Sequence, residues 1–356
     1  MLLIIFLLNN ALLMLALINL ATMRRPSAAR EISEKVTILL PVRNEEGNIE
    51  RILKELAQQM FLKDYQVLVI NDGSTDRTLE LAQSLQSPQI AVISAPELPQ
   101  GWIGKVGALH HGLSFAHEST YIISVDADVS FGVDAISRAI ASLEDLKLDF
   151  VSPYPHQIAM SWSERLIQPL LQWSWMSTLL LRGAEKFPLQ ATVVANGQFM
   201  VMRKDALVSS GGFESVFNKV LDDIELGRSF VRHGYKGSVI DGSQLAATRM
   251  YQSFKDLRSG YGKSLHLAFG GLIGSIFTSV FFIATAIIPL IYSFFGNLFA
   301  LASLSAIIGT RLIAAFASRS SLRDSFLHPA SATFMLYLLY YSWRNRRQAQ
   351  WKGRTL

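Results

Sequence analysis

The first third of the chain alternates apolar runs with helix-like stretches in a regular order. Strand-like runs occupy residues 36–40, 65–70, 90–94 and 121–125. Helix-like stretches between them occupy residues 47–60, 75–85 and 104–117. This β-α-β-α-β-α-β order predicts an α/β fold in which a mostly parallel sheet is flanked by helices. Ligands of such sheets bind at the carboxyl ends of the strands, so the loops at that edge are where functional residues are expected.

A second constraint comes from residues 2–22, which contain no charged side chain. Their length matches a transmembrane helix, and a chain that is 50% hydrophobic and 17% charged is too apolar for an ordinary soluble enzyme. A cleaved signal peptide is disfavoured because no basic segment precedes the apolar run. The basic residues Arg24, Arg25 and Arg30 follow it instead. The positive-inside rule therefore predicts an inner-membrane protein whose next domain is cytoplasmic.

The carboxyl-terminal part of the chain is also apolar. Residues 267–316 indicate a transmembrane hairpin, because two long apolar stretches are separated by Gly296 and Asn297. Segment 326–342 is shorter, and if it spanned the membrane the basic tail would lie outside, against the positive-inside rule. An interfacial or re-entrant placement is therefore favoured over a spanning one. The predicted organisation is an anchor at 1–23, a globular domain at 35–262, a membrane region at 265–343 and a basic tail at 344–356.

Several classes of protein are disfavoured. The chain has no cysteine, so disulfides and thiolate metal sites are excluded. Its net charge is +5, but the cations lie beside apolar segments, which favours contact with lipid headgroups over nucleic acid. Val106 stands where a Walker A loop needs Ser or Thr after Lys105. Hydrolase and dinucleotide-binding fingerprints are missing as well.

Two acids, Asp126 and Asp128, directly follow the fourth strand-like run. A pair of carboxylates on a sharp turn can bind a hard divalent cation, and such a cation can neutralise a diphosphate. By itself this short motif is weak, since it also occurs by chance. The polar loops 41–46 and 71–76 follow the first two strands and are expected at the same edge, although their acids are equally suited to capping helices.

Two further features belong with this edge. Lys105 follows Gly101 and Gly104 at the start of a helix, where glycines allow close backbone approach to phosphate oxygens and the lysine adds a charge. Asp222 and Asp223 begin a later helix. Adjacent acids at a helix start are often no more than favourable partners of the helix dipole, and a solvated lysine is the corresponding alternative for Lys105.

The order of these motifs resembles that of family 2 inverting glycosyltransferases with the GT-A fold. The resemblance covers about residues 36–240. It rests on the motifs around Asn44–Glu45, Asn71–Asp76, Gly101–Lys105, Asp126–Asp128, Gly211–Gly212 and Asp222–Asp223. The Gly-Trp-x-Gly-Lys loop, Arg249-Met250-Tyr251, His328-Pro329 and residues 351–354 are similar to a membrane subgroup that includes hopene-associated and carotenoid (diaponeurosporenoate-type) glycosyltransferases.

The resemblance implies a role for each matching residue. Asp72 and Glu45 would contact the nucleotide, with Pro41 shaping its pocket, and Lys105 would lie near the phosphates. Asp126 and Asp128 would engage the nucleotide-sugar and a Mg²⁺ or Mn²⁺, Asp128 being the direct ligand. Asp223 would be the general base, preceded by Asp222 where the family has Glu. The Gln-x-x-Arg-Trp motif of processive synthases is missing, and Arg249 would supply its cationic role at the donor.

The sequence therefore predicts a membrane-anchored inverting glycosyltransferase that moves a sugar from a nucleotide-sugar, UDP-linked by family habit, to a lipid or terpenoid acceptor. A polyprenyl-phosphate glycosyltransferase and a non-catalytic membrane scaffold that retains the fold are the alternatives. Trp162, Trp173 and Trp175 suit either an interfacial helix or a protein core. The identities of the sugar and the acceptor cannot be read from the residues.

Overall fold

The computed structural model of the protein describes residues 1–346, 350–351 and 354–355. The chain forms two compact units. The helical unit comprises Met1–Met23, Gln157–Arg182 and Arg249–Leu356, and the sheet unit comprises Arg24–His156 and Gly183–Thr248. The globular domain expected at 35–262 thus contains two segments, 157–182 and 249–262, that group with the terminal helices.

The helices alternate with strands through the first half of the chain and predominate in the last third. In chain order they are α1 (Leu2–Thr22), α2 (Ile49–Ala57), α3 (Thr78–Ser84), α4 (Gly104–Leu113), α5 (Ala135–Asp145), α6 (Trp162–Thr178), α7 (Leu181–Lys186), α8 (Lys204–Ser209), α9 (Asp222–Arg232), α10 (Phe254–Ala268), α11 (Gly271–Phe282), α12 (Ile288–Ser293), α13 (Leu298–Ala317) and α14 (His328–Arg344). A π-helical turn, Ile283–Ile287, joins α11 to α12, and 3₁₀ helices occur at Gln190–Thr192, Phe213–Val216 and Leu322–Leu327.

The strands form one large sheet and one short hairpin. They are β1 (Val36–Val42), β2 (Tyr65–Asn71), β3 (Ile90–Ser94), β4 (Tyr121–Val125), β5 (Val129–Phe131), β6 (Phe150–Gln157), β7 (Phe199–Arg203), β8 (Gly237–Thr248), β9 (Gln350–Trp351) and β10 (Arg354–Thr355). The order in the large sheet is β3-β2-β1-β4-β7-β6-β8-β5. The first four are mutually parallel, whereas β7 is antiparallel to β4 and β6, and β5 is antiparallel to β8. The predicted mostly parallel sheet is confirmed.

Helices cover both faces of the sheet because successive strand residues point to opposite sides. Ile38 and Leu40 of β1 join one buried cluster, which includes residues of α2 and α5. Leu39, between them, joins the other cluster with Val106 of α4 and Phe230 of α9. A strand that is buried on both faces reads as a continuous apolar run, which explains why β1, β2 and β4 were visible in the sequence.

Among the described residues of the helical unit, three helices are long and apolar enough to cross a membrane: Leu2–Thr22, Gly271–Ser293 and Leu298–Ala317. They agree with the membrane helices expected at both ends of the chain, and the hairpin turns at Gly296, whose φ of +73° favours glycine. α14 has 17 residues and is shorter than these three. Its interfacial placement stays a prediction, and much of the basic tail, including Arg347 and Lys352, lies outside the described residues.

The asparagines in α1 make hydrogen bonds inside the helical unit. The Asn9 amide donates to the Thr285 carbonyl and the Ser303 hydroxyl, each at 2.8 Å. The Asn19 amide donates to carbonyls at the end of α6, those of Met176 at 2.8 Å and Leu179 at 2.6 Å. The amide N–H groups of Asn9 and Asn19 are therefore paired within the helical unit, which explains polar residues in a segment suited to a membrane. The Oδ1 atom of Asn9 is buried without a partner among the described residues.

The tryptophans of α6 divide between core and surface. Trp173 and Trp175 are buried, whereas Trp162 is 58% exposed. The indole N–H of Trp173 donates to the Thr310 hydroxyl of α13 at 2.7 Å. Packing of α6 against α13 is the physical reason why residues 157–182 belong to the helical unit.

Candidate active site

Two loops of the sheet unit follow the carboxyl ends of the neighbouring strands β1 and β2, and hydrogen bonds connect these loops to each other. The backbone N–H of Asp72 donates to the Val42 carbonyl at 2.9 Å. The Asn44 side chain accepts from the N–H of Thr75 at 2.8 Å, and the Glu45 N–H donates to the Thr78 hydroxyl at 2.7 Å. These bonds hold Glu45 and Asp72 at the edge where the sequence predicted a nucleotide pocket.

The residues predicted to contact the nucleotide are held by different means. Asp72 is buried, and its carboxylate lies 3.9 Å from the Arg43 guanidinium. The Glu45 carboxylate accepts from the Asn48 amide at 2.8 Å. Pro41 lies inside β1, which extends to Val42 rather than ending at residue 40, and is half-buried opposite Ile70. Their contacts with a nucleotide stay predictions.

Asp126 and Asp128 form the turn after β4. The N–H of Val129 donates to the Asp126 carbonyl at 3.2 Å, closing the turn, and the Asp126 N–H donates to the Gln198 carbonyl at 3.2 Å. The Oδ1 atom of Asp128 is buried and has no hydrogen-bond partner among the described residues. Burial, reinforced by the negative charges of Asp126 and Glu45, raises the pKa of Asp128 to about 7. A buried carboxylate oxygen of this kind is suited to a cation.

Lys105, at the start of α4, is the positive centre of the site. Its ammonium lies 2.7 Å from Oδ1 of Asp126 and 3.4 Å from the Gly197 carbonyl. Burial alone lowers the pKa of Lys105, but the negative charges of Asp126, Asp222 and Asp223 outweigh it and raise the pKa. The ammonium therefore stays charged, and the alternative of a solvated lysine is wrong.

The second acidic centre lies beside the same lysine. α9 begins at Asp222, and Oδ2 of Asp223 accepts the Gly197 N–H at 2.8 Å. Burial raises the pKa of Asp223, opposed by hydrogen bonds from Gly197 and Ile224 and by Lys105. Burial also raises the pKa of Asp222 to about 6, against the opposing charge of Lys105. Both acids are half-buried in the first turn of α9, and Asp223 is also hydrogen-bonded to the loop that contains Gly197.

Residues 196–198 cross between the two acidic centres. A Cβ on Gly197 would lie 3.1 Å from the Lys105 ammonium and 3.2 Å from the Cβ of Asp223. Both distances are shorter than ordinary van der Waals contact, so any side chain at residue 197 would require Lys105 or Asp223 to shift by a few tenths of an ångström. Gly197 is thus a spacer inside the candidate site.

A Gly197→Ala substitution is expected to lower turnover while leaving the fold intact, because the added methyl pushes Lys105 away from Asp223. Steady-state kinetics and thermal unfolding of the full-length protein measure the two effects separately. Gly47→Ala is the matched control, since a Cβ there meets nothing within 4 Å. Equal turnover of the two variants would show that this spacing is unimportant.

Arg249 lies in the helical unit, where its guanidinium binds Glu164. Two nitrogens of Arg249 each lie 3.1 Å from a carboxylate oxygen of Glu164. Burial raises the pKa of Glu164, but hydrogen bonds from Arg249, Met160 and Ser161 outweigh it and bring the pKa to about 2. The guanidinium already has an anionic partner, and its predicted contact with the donor stays a prediction.

Asp126 and Asp128 fit a divalent metal whose remaining ligands come from a substrate and water. No group of three or more His, Asp or Glu side chains suited to a metal occurs among the described residues. Mg²⁺ in phosphate-binding sites is commonly held by one or two carboxylates, with phosphate oxygens and water completing its shell. The unpartnered Oδ1 of Asp128 and the adjacent Asp126 supply hard oxygen donors of this type.

The structure adds residues that the sequence did not single out. Tyr154 of β6 is buried, and burial together with the charge of Asp223 raises the pKa of its phenol. Arg43 stood within a recognised motif without an assigned role, and here it lies next to Asp72. Tyr154 is a tyrosine in an ordinary strand sequence, so only the fold reveals its proximity to the second acidic centre.

Comparison with known proteins identifies the family of one domain. Residues 37–209 match the family described as glycosyl transferase family 2. The chain carries a family 2 glycosyltransferase domain. This match includes Asp72, Lys105, Asp126 and Asp128, whereas Asp222 and Asp223 lie beyond it. The family 2 domain expected from the ordered motifs is confirmed over the matched residues.

Relatives and solved structures agree with this glycosyltransferase assignment. The chain is 28% identical over 252 residues to 4,4'-diaponeurosporenoate glycosyltransferase of Staphylococcus aureus strain USA300, a match covering 69% of this chain and 64% of the relative. The protein of strain MRSA252 is 27% identical over the same length. The match therefore spans less than two thirds of these curated relatives.

The structural similarity extends over nearly the whole chain. The mannosyltransferase PcManGT of Pyrobaculum calidifontis, solved with GDP-Man and Mn²⁺, matches with a TM-score of 0.54 and 16% identity. The match covers 97% of this chain and 99% of that one. At this identity the similarity shows the fold alone, and it confirms the predicted GT-A fold.

Proposed function

We propose that the protein is a membrane-anchored inverting glycosyltransferase that moves a sugar from a nucleotide-sugar, a UDP-sugar by family resemblance, to a lipid or terpenoid acceptor. The observation that carries the proposal is the placement of four carboxylates, those of Asp126, Asp128, Asp222 and Asp223, around the one ammonium of Lys105. Two acids follow β4 and two begin α9, so separate elements supply a donor side and an acceptor side.

On the donor side, Asp126 and Asp128 would hold a Mg²⁺ or Mn²⁺, which supplies neutralisation of the leaving diphosphate. Lys105 adds a fixed positive charge next to Asp126. Fixed charges placed where negative charge develops stabilise the transition state without reorganisation at the moment of reaction. Asp72 and Glu45, on the loops after β2 and β1, would contact the base and ribose, and Pro41 would shape that pocket.

On the acceptor side, Asp223 is the proposed general base. Its carboxylate is oriented by the Gly197 N–H, and its raised pKa makes it a better proton acceptor than an exposed aspartate. As the acceptor oxygen attacks the anomeric carbon, its proton passes to Asp223 and the bond from that carbon to the diphosphate breaks. Attack from the face opposite the leaving group inverts the anomeric configuration.

A lipid or terpenoid acceptor is supported by two observations. Three helices in the described part of the chain are long and apolar enough to cross a membrane. The Staphylococcus relatives are named for an apolar carotenoid acid, diaponeurosporenoate. A cytoplasmic orientation of the sheet unit at the inner membrane is proposed from Arg24, Arg25 and Arg30, although Arg24 and Arg30 also form ion pairs with acids of that unit.

The full-length protein in membranes, incubated with a set of radiolabelled nucleotide-sugars and Mg²⁺ or Mn²⁺, is expected to label a chloroform-extractable lipid. Membranes carrying Asp223→Asn protein are the control. Mass spectrometry of the product identifies the acceptor, and a labelled polyprenyl phosphate would establish that alternative instead. Tight UDP binding without transfer to any lipid extract would show a non-catalytic scaffold.

A further inference from the structure

A buried polar cluster in the helical unit is not used by the proposed transfer reaction. It comprises Arg311 of α13, which is 2% exposed, His328 at the start of α14, which is 0% exposed, and Asp324 of the preceding 3₁₀ helix, which is 3% exposed. Arg311 lies close enough to both of the others to interact electrostatically. Burial of a charged side chain among apolar helices is costly, so such a side chain is expected to have a hydrogen-bonding or ionic partner.

The donors of this cluster lack partners. Both terminal nitrogens of Arg311 and both ring nitrogens of His328 are buried without a hydrogen bond among the described residues. The same holds for the hydroxyl of Ser331, one turn further along α14. An unpartnered buried guanidinium costs several kcal/mol, more than any apolar side chain of similar volume. The arrangement is therefore incomplete without an acceptor of hydrogen bonds.

The charge balance of the cluster favours an anion as the missing partner. Asp324 is the acid that interacts with Arg311, but its carboxylate is already engaged by the Arg165 guanidinium, at 2.5 Å and 3.0 Å. α13 carries no acid, and neither does α14. Two arginines thus share one carboxylate, and one positive charge is left over. The positive end of the α14 dipole also faces this region.

The positions of Arg311 and His328 are fixed by their neighbours. The ring of Trp173 lies 4.7 Å from the His328 ring, and its N–H binds Thr310, the residue next to Arg311. Because the Thr310 hydroxyl accepts the Trp173 N–H, it is not an acceptor for the donors of Arg311 and His328. The cluster is preorganised, which reduces the entropic cost of binding.

The surroundings indicate an amphiphile rather than a free ion. Apolar side chains near the cluster in sequence, Phe316, Leu322 and Phe326, are 67%, 48% and 64% exposed. Arg165, on the far side of Asp324, has a side chain that is 45% exposed. The Arg165–Asp324 ion pair therefore extends from the buried cluster to the surface.

We propose that Arg311 and His328 form a binding site for the phosphate headgroup of an anionic membrane lipid, whose chains lie over Phe316, Leu322 and Phe326. The phosphate accepts hydrogen bonds from the guanidinium and the imidazole, and its entry requires displacement of the Arg165–Asp324 pair. Guanidinium groups bind phosphate oxygens in a bidentate manner, so one lipid satisfies both free nitrogens of Arg311. The proposal does not depend on the transfer reaction.

Thermal unfolding of the full-length protein in neutral detergent tests the site, with phosphatidylglycerol, phosphatidylcholine or inorganic phosphate added. Of these three additions, only phosphatidylglycerol is expected to raise the Tm. Arg311→Met is expected to weaken that response, with affinity about 10- to 100-fold lower, because hydrogen bonds to charged groups are lost. In detergent without lipid, Arg311→Met should unfold at the same or a higher temperature than the unchanged protein, since a buried unpaired charge is removed.

Arg323→Met is the matched control. Arg323 is an exposed cation on the 3₁₀ helix that also carries Asp324, and its substitution is expected to leave the response to phosphatidylglycerol unchanged. An undiminished response of Arg311→Met to phosphatidylglycerol would overturn the proposal. Equal protection by inorganic phosphate would overturn the assignment to a lipid. If Arg311→Met does not fold, Arg311→Lys decides, since loss of the bidentate geometry must still reduce affinity for phosphatidylglycerol.

Discussion

Asp223→Asn is expected to lower kcat about 10²- to 10⁴-fold on a hydroxyl acceptor, because general-base assistance is lost. Binding of the donor should change little, since the amide keeps a hydrogen-bond acceptor for the Gly197 N–H. The pH profile provides a second readout. Asp223 must be deprotonated to act, and its pKa is raised by burial, so activity should fall as pH drops through a value above that of an ordinary aspartate.

The control for this substitution is Glu225→Gln on the same helix. Glu225 forms an ion pair with Arg228, 2.6 Å away, and is expected to have no catalytic part. Full activity of Asp223→Asn on a hydroxyl acceptor would refute the assignment of the base. A small loss on a carboxylic acid acceptor is a different outcome, because an ionised carboxylate needs no base, and it would indicate a carotenoid acid as substrate.

Asp128→Ala is expected to abolish metal-supported donor binding. A metal that neutralises the leaving diphosphate contributes several kcal/mol of transition-state stabilisation, so turnover should fall by at least about 10³-fold. Isothermal titration of UDP into the full-length protein, with and without Mn²⁺, measures the binding effect directly. The unchanged protein should bind UDP more tightly when Mn²⁺ is present, and the variant should show no such difference.

Asp134→Asn is the control for Asp128→Ala. Asp134 is half-buried beyond β5 and lies 3.9 Å from Arg138, remote in role from the acids that follow β4. The Asp134→Asn variant should preserve the effect of Mn²⁺ on UDP binding. If Asp128→Ala also preserved that effect, Asp128 would not be a metal ligand and the donor side of the mechanism would need another explanation.

The amino-acid sequence was sufficient for the parallel half of the sheet. Strands β3 and β4 lie where the sequence predicted them. β4 is buried on both faces and therefore appears as an unbroken apolar run, whereas β3 is an edge strand that is only partly buried. The membrane helices were equally visible, since a span needs about 20 apolar residues and little else. By contrast, α4 ends at Leu113 rather than residue 117, as helix ends depend on local packing.

The sequence pattern did not predict the antiparallel strands β5 to β8. It also did not predict that α6 belongs to the helical unit. Residues 157–182 have a mixed composition, and their place in the helical unit depends on contacts such as that of Trp173 with Thr310, which are 137 positions apart. Similarly, the partner of Arg249 is Glu164, which a pattern search for phosphate-binding cations does not find.

What the sequence determined by itself was the kind of residue at each strand end and the order of the motifs, because these are local properties of the chain. Only the tertiary structure decided that Lys105, Asp126 and Asp223 share one site, with Gly197 lying between them. It also decided that Arg311 lacks a full partner. The physical reason is that electrostatic and hydrogen-bond energies depend on distance in space, and residues far apart in sequence are brought together only by folding.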